Sequence, residues 1–61
     1  METFEKMEAL LEQIRPDVVK VFGKGNSSAG TRVRKAMQEL KELAQQVREE
    51  VQEARNSGSE D

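Results

Sequence analysis

Five cations crowd a stretch of this chain that contains no acid. Lys20, Lys24, Arg32, Arg34 and Lys35 lie between Asp17 and Glu39 with no carboxylate among them. Residues 1–17 sum to −3 and residues 39–61 to −4, so this +5 segment stands against an acidic background. Asn26, Ser27, Ser28 and Thr31 add short polar side chains among Gly23, Gly25 and Gly30. The run Lys-Gly-Asn-Ser-Ser-Ala-Gly-Thr-Arg-Val-Arg-Lys reads as a turn followed by a helix start. Unpaired backbone N–H groups and the positive end of the helix dipole attract anions at such a place. Phosphate is the anion this site would hold, through Lys20, Lys24, Asn26, Ser27, Ser28, Thr31, Arg32, Arg34 and Lys35. The alternative is a solvated turn whose charges keep the tip soluble. Phe22 is the one aromatic nearby, which argues against stacking of single-stranded bases.

Little else in the chain could do chemistry. It has no histidine, cysteine, tryptophan or tyrosine, so the usual nucleophiles, general bases and soft-metal ligands are missing. The expectation is a non-enzyme with no cofactor, no metal and no small-molecule substrate. The glycines match neither a P-loop nor a dinucleotide fingerprint, and no strand precedes them. Glu39/Glu42 and Glu49/Glu50/Glu53 lack a loop that would converge their oxygens on a cation, so they read as a solvated helix face. Met7 and Met37 fall at core spacing and read as gap-fillers. The apolar runs are too short to span a membrane. Nothing at the N-terminus reads as an export signal, which makes the cytoplasm the default location.

Two amphipathic patterns flank the basic turn. Phe4, Met7, Leu11, Ile14, Val18 and Val21 follow spacings of 3, 4, 3, 4 and 3, an a/d heptad repeat. Thr3 is the expected N-cap, with Glu2 and Glu5 at the positive helix end. Pro16 removes the bond to the Glu12 carbonyl but sits at f, away from the seam, so one bent helix is predicted. Gly23 suits the position just past the helix end, and Asn26 suits the next N-cap. The second pattern runs Val33, Met37, Leu40, Ala44, Val47, Val51 and Ala54, widened by Ala29, Ala36 and Leu43. Helix 1 is predicted over about 3–22, the turn over 23–26 and helix 2 over about 27–55. Residues 56–61 carry no apolar side chain and read as a disordered acidic tail.

A turn this short makes the helices antiparallel neighbours. The a/d pairing then predicts layers Val21/Gly30, Val18/Val33, Ile14/Met37, Leu11/Leu40, Met7/Ala44 and Phe4/Val47. Gly30 would let the helices approach closely beside the turn. Arg34, Lys41, Arg48 and Arg55 recur every seven residues, and ion pairing along the hairpin edge is the expected explanation, with Glu8 across from Lys41. Arg15 would face Arg34 without a partner. Leu10 and Leu43 would leave an apolar edge, and helix 2 would overhang at Val51 and Ala54. A chain of this size buries only about 60% of its unfolded surface, and an uncovered apolar edge invites a second copy. The fold class is therefore all-α: an antiparallel hairpin assembling as a dimeric, coiled-coil-like four-helix bundle. Its expected interface is Leu10, Leu43, Val47, Val51 and Ala54.

From Lys24-Gly25-Asn26-Ser27-Ser28-Ala29-Gly30-Thr31-Arg32-Val33-Arg34-Lys35 through Leu40-Lys41-Glu42-Leu43-Ala44-Gln45-Gln46-Val47-Arg48, the sequence resembles the bacterial linker-histone-like proteins of the chlamydial type. The resemblance covers roughly residues 22–56; helix 1 shares only its amphipathic character. It implies non-enzymatic, non-specific binding of double-stranded DNA and a place in the bacterial nucleoid. One departure stands out. Chlamydial members carry a long Lys/Ala/Pro-rich tail, whereas this chain ends Ser57-Gly58-Ser59-Glu60-Asp61, with a net charge of −2. The competing reading is a self-associating helical module that binds another protein.

Overall fold

Residues 1–56, the part described by the computed structural model, form two helices joined by a tight turn. α1 spans Glu2–Lys24 and α2 spans Ser27–Asn56. They lie antiparallel in a rod of about 50 × 15 × 15 Å. The expected acidic tail begins at Asn56, which closes α2; the rest of it lies outside the described residues.

α1 starts two residues earlier than a cap at Thr3 predicts. Met1 occupies the N-cap without a side-chain bond, and Glu2 and Glu5 sit in the first turn, where negative charge is favoured by the helix dipole. Thr3 is not a cap. It is buried at 6% exposure, and its hydroxyl donates to Glu50 Oε2 at 2.7 Å. Position g points Thr3 at α2, so its hydroxyl ties the open end of the hairpin instead. Pro16 lies within an unbroken helix, on the side away from α2 where the missing N–H disrupts no tertiary contact.

The other end departs from expectation too. α1 continues through Gly23, and the left-handed residue is Gly25, at φ 64°. Its N–H donates to the Val21 carbonyl at 3.0 Å, and the Asn26 N–H reaches the Lys20 carbonyl at 3.2 Å. Glycine adopts positive φ without the clash a Cβ would bring. Lys24 in the last turn complements the negative helix end. The turn is thus only Gly25-Asn26. Asn26 caps α2 as its side chain allows: Oδ1 accepts the Ala29 N–H at 2.9 Å, and its carbonyl accepts the Gly30 N–H at 3.1 Å.

The helices meet in the expected register but on a rotated face. Gly30 does lie beside Val21, although a Cβ on Gly30 would stand 3.8 Å from Val21 Cγ2, an ordinary contact and no forced close approach. The seam is centred on d and leans toward g. Buried or half-buried residues run Thr3, Met7, Leu10, Ile14, Asp17, Val18, Val21 on α1 and Ala29, Gly30, Val33, Ala36, Leu40, Leu43, Ala44, Val47, Glu50 on α2. Ala29 and Ala36 are the reason. Helix axes approach according to the side chains between them, and two alanines at g let α2 lie close to Ile14. Ile14, Ala29 and Ala36 are the buried apolar residues.

The lean affects the layers built on a positions unevenly. Val21/Gly30, Val18/Val33 and Met7/Ala44 are half-buried on both sides, whereas Phe4, Leu11 and Met37 are 51%, 45% and 38% exposed. Leu10, Leu43 and Val47, expected on an outer interface, are half-buried, and Leu10 lines an open groove. The exposed apolar row is Phe4, Leu11, Met37 and Val51, with Ala54 exposed beyond it.

Candidate nucleic-acid interface

The turn brings the basic residues to one end of the rod. Lys20 and Lys24 lie on the last two turns of α1, and Arg32, Arg34 and Lys35 on the first turns of α2; all five are exposed. Their only acidic neighbour in the sequence of this end is Asp17. Ser27 and Ser28 are exposed at the very tip, and their N–H groups precede any intrahelical acceptor. Asn26 is spent on capping α2, and the Thr31 hydroxyl donates to the Ser27 carbonyl at 3.3 Å. These two stabilise the helix start more directly than they could reach a ligand.

Arg32 behaves differently from the other cations. Its Nε and Nη2 donate to Asp17 Oδ2 and Oδ1 at 3.0 and 2.8 Å, a two-pronged bridge between the helices. The hydrogen bonds from Arg32 hold the Asp17 carboxyl below its ordinary range, and the same bonds raise the Arg32 guanidinium. Two parallel N–H···O bonds fix both groups geometrically. Arg32 therefore braces the hairpin, with its charge already shared with Asp17. Sequence spacing conceals this pairing, because Asp17 and Arg32 are fifteen residues apart and meet only once the hairpin register is set.

Lys20, Lys24, Arg34 and Lys35 form no ion pair among the described residues. They do not share one face. Lys35 stands with Arg32 and Lys6 on the rim of a shallow groove of about 620 Å³, floored by Leu10, Ile14 and Ala36. Arg34 lies around the helix from it, on the side of the exposed Leu11 and Met37. The tip is thus a basic knob, approachable from several directions, and no closed pocket.

The long edges carry fewer bridges than expected. Glu8 and Lys41 form no ion pair among the described residues. Arg15 does have a partner: its Nη2 lies 2.8 Å from Glu12 Oε2 on the same helix, which holds the Glu12 carboxyl down and the Arg15 guanidinium up. Among the described residues no group of three or more acids could hold a metal ion, and no helix is long and apolar enough to cross a membrane.

An all-helical hairpin with a basic turn and an acidic open end defines the class: a small charge-polarised helical module. The chain belongs to the family of the histone H1-like protein Hc1, whose model matches residues 1–57. That is a histone-like family, not an enzyme family. No curated protein and no solved structure matches the chain.

Proposed function

We propose that this protein is a nucleoid-associated, histone-like module that binds double-stranded DNA without sequence preference and gathers it as a homodimer. The observation that carries the reading is the segregation of charge along the rod. Five cations meet at the turn, while residues 1–14 set four glutamates against Lys6 and residues 39–56 set five against Lys41, Arg48 and Arg55. A net charge of −2 opposes a polyanion at long range, but screening confines that repulsion to about 10 Å at moderate salt. The local charge at the tip then governs contact. Lys20, Lys24, Arg34 and Lys35, helped by the Ser27 and Ser28 N–H groups, would take phosphates. Phosphate contacts position a protein without reading bases. Family membership points the same way.

Self-association rests on the exposed apolar row. Phe4, Leu11, Met37 and Val51 lie on the a positions of both helices, which the antiparallel packing places on one side of the hairpin. A second copy laid against that side completes a four-helix bundle. The same row favours the competing reading, a helical module whose partner is another protein.

The test is fluorescence anisotropy with a random duplex at about 50 mM salt, repeated as salt rises. Four free cations predict a slope of log K against log salt near −3.6 or steeper. A wild-type protein that binds no DNA under these conditions leaves the protein-partner reading in its place.

A further inference from the structure

The cations recurring every seven residues on α2 are not paired along the hairpin edge. Arg34, Lys41, Arg48 and Arg55 are all exposed, and none forms an ion pair among the described residues. Their neighbours on the adjoining helical row are Thr31, Gln38, Gln45 and Gln52, also exposed and also seven apart. The two rows interleave at spacings of three and four, so they form one continuous stripe. It contains cations, amides and a hydroxyl, and no acid. The glutamates of α2 lie on other rows, at Glu39, Glu42, Glu49, Glu50 and Glu53.

Helix-stabilising charge patterns do not look like this. A solvated helix places acids three or four residues from its cations to gain i,i+4 pairs; here each stripe cation has glutamine, valine or alanine at much of that spacing. Two stripe side chains are engaged, both at 3.3 Å: the Thr31 hydroxyl donates to the Ser27 carbonyl and the Gln45 amide to Glu49.

We infer that this stripe is a second DNA-backbone surface, continuous with the basic turn at Arg34 and running the length of α2. From Thr31 to Arg55 it covers about 36 Å of helix, close to one turn of duplex, with a cation about every 10.5 Å. Arginine and lysine neutralise phosphates, and glutamine amides hydrogen-bond to phosphate oxygens. An anionic bilayer is the weaker fit, because a membrane-surface helix inserts the large apolar side chains beside its basic face, and here those side chains, Met37 and Val51, belong to the row assigned above to a second copy. The inference deepens the DNA reading above and rests on it. It also gives a physical route for an acidic protein to grip DNA: the stripe's cations keep to rows that contain no acid, with Glu49 and Glu53 bordering them beside Arg48.

The test replaces Lys41→Gln with Arg48→Gln, both remote from the turn and outside the hairpin seam. Its control is Gln13→Glu with Gln46→Glu, exposed off-stripe positions that change net charge by the same amount. Helix content and sedimentation are recorded for each. The stripe variant should lower the magnitude of the salt slope by about 1.8, at about 0.9 per lost phosphate contact, and weaken duplex binding at least tenfold at low salt. The control should keep the slope. Equal behaviour of the two variants, or an unchanged slope in the stripe variant while Lys20→Gln with Lys24→Gln loses it, overturns the stripe and leaves the turn. Wild type binding anionic phospholipid vesicles more tightly than duplex also overturns it. No binding of wild type to DNA sinks the stripe together with the reading beneath it.

Discussion

Leu11 is 45% exposed in the hairpin, and truncating it to alanine separates assembly from folding. Full burial of a leucine is worth about 1.5–3 kcal/mol. The exposed part of Leu11 would then contribute about 1 kcal/mol when a second copy covers it. Each dimer contains two such residues, so Leu11→Ala should weaken dimerisation by about 2 kcal/mol, roughly 30-fold in Kd. The share of Leu11 already buried makes the hairpin itself lose only about 1 kcal/mol. Leu43→Ala should do the opposite. Leu43 is half-buried inside the seam, so its loss strikes the hairpin first, and Leu43→Glu should largely unfold it by burying an unpaired charge. Sedimentation across a concentration series, with circular dichroism on the same samples, reads both quantities. Wild type behaving as a stably folded monomer throughout, or Leu11→Ala leaving the association constant unchanged, would refute the reasoning.

Three further outcomes follow from the hairpin. Thr3→Val keeps the shape but removes the donor to Glu50; a hydrogen bond to a charged group is worth about 1.5 kcal/mol or more, so the melting temperature should fall by at least about 4 °C, and an unchanged melt would place that bond in solvent. Gly25→Ala should cost about 1 kcal/mol because φ is 64° there, whereas Gly23→Ala should gain about 0.5–1 kcal/mol, since a Cβ there meets nothing within 4 Å; chemical denaturation that ranks them the other way would relocate the helix end. Asp17 has a carboxyl pKa lowered in the folded state, so its bridge to Arg32 stabilises fully above the ordinary aspartate value of 3.8 and is lost as pH falls through the lower folded value. Asp17→Asn should therefore lower stability at neutral pH and flatten the acid limb of the stability profile, and an identical acid limb in both proteins would contradict the pairing.

Much of the architecture is legible in periodicity. The breaker-free run from Ala29 to Ala54 and the Gly-Asn turn leave little besides an antiparallel hairpin, and the register that sets Val21 beside Gly30 follows from the turn length. What periodicity left open is the rotation of the seam. An a/d pattern widened at g can bury a with d or d with g, and the choice falls to side-chain volume. Ala29 and Ala36 are small enough at g to draw the helices together there, which turns Phe4 and Leu11 outward. Capping propensity was similarly ambiguous at Thr3, because a threonine can cap a helix or donate across a seam, and only the return of Glu50 decides which. At the basic turn, composition marks the cations, but it cannot tell Arg32, braced on Asp17, from Lys20, Lys24, Arg34 and Lys35, which have no such partner.

The central claim is that the turn end of this acidic protein holds the DNA backbone. Its most direct test is a salt titration of wild type beside Lys24→Glu with Lys35→Glu, two exposed cations outside the seam, on a random duplex. Wild type should bind with a Kd of about 1–100 µM at physiological salt or below, with log K falling against log salt at a slope of at least about 3 in magnitude. The charge-reversed protein, still helical and still associating, should lose most of that affinity and about two units of slope. Equal affinity and equal slope for the two proteins would contradict the account.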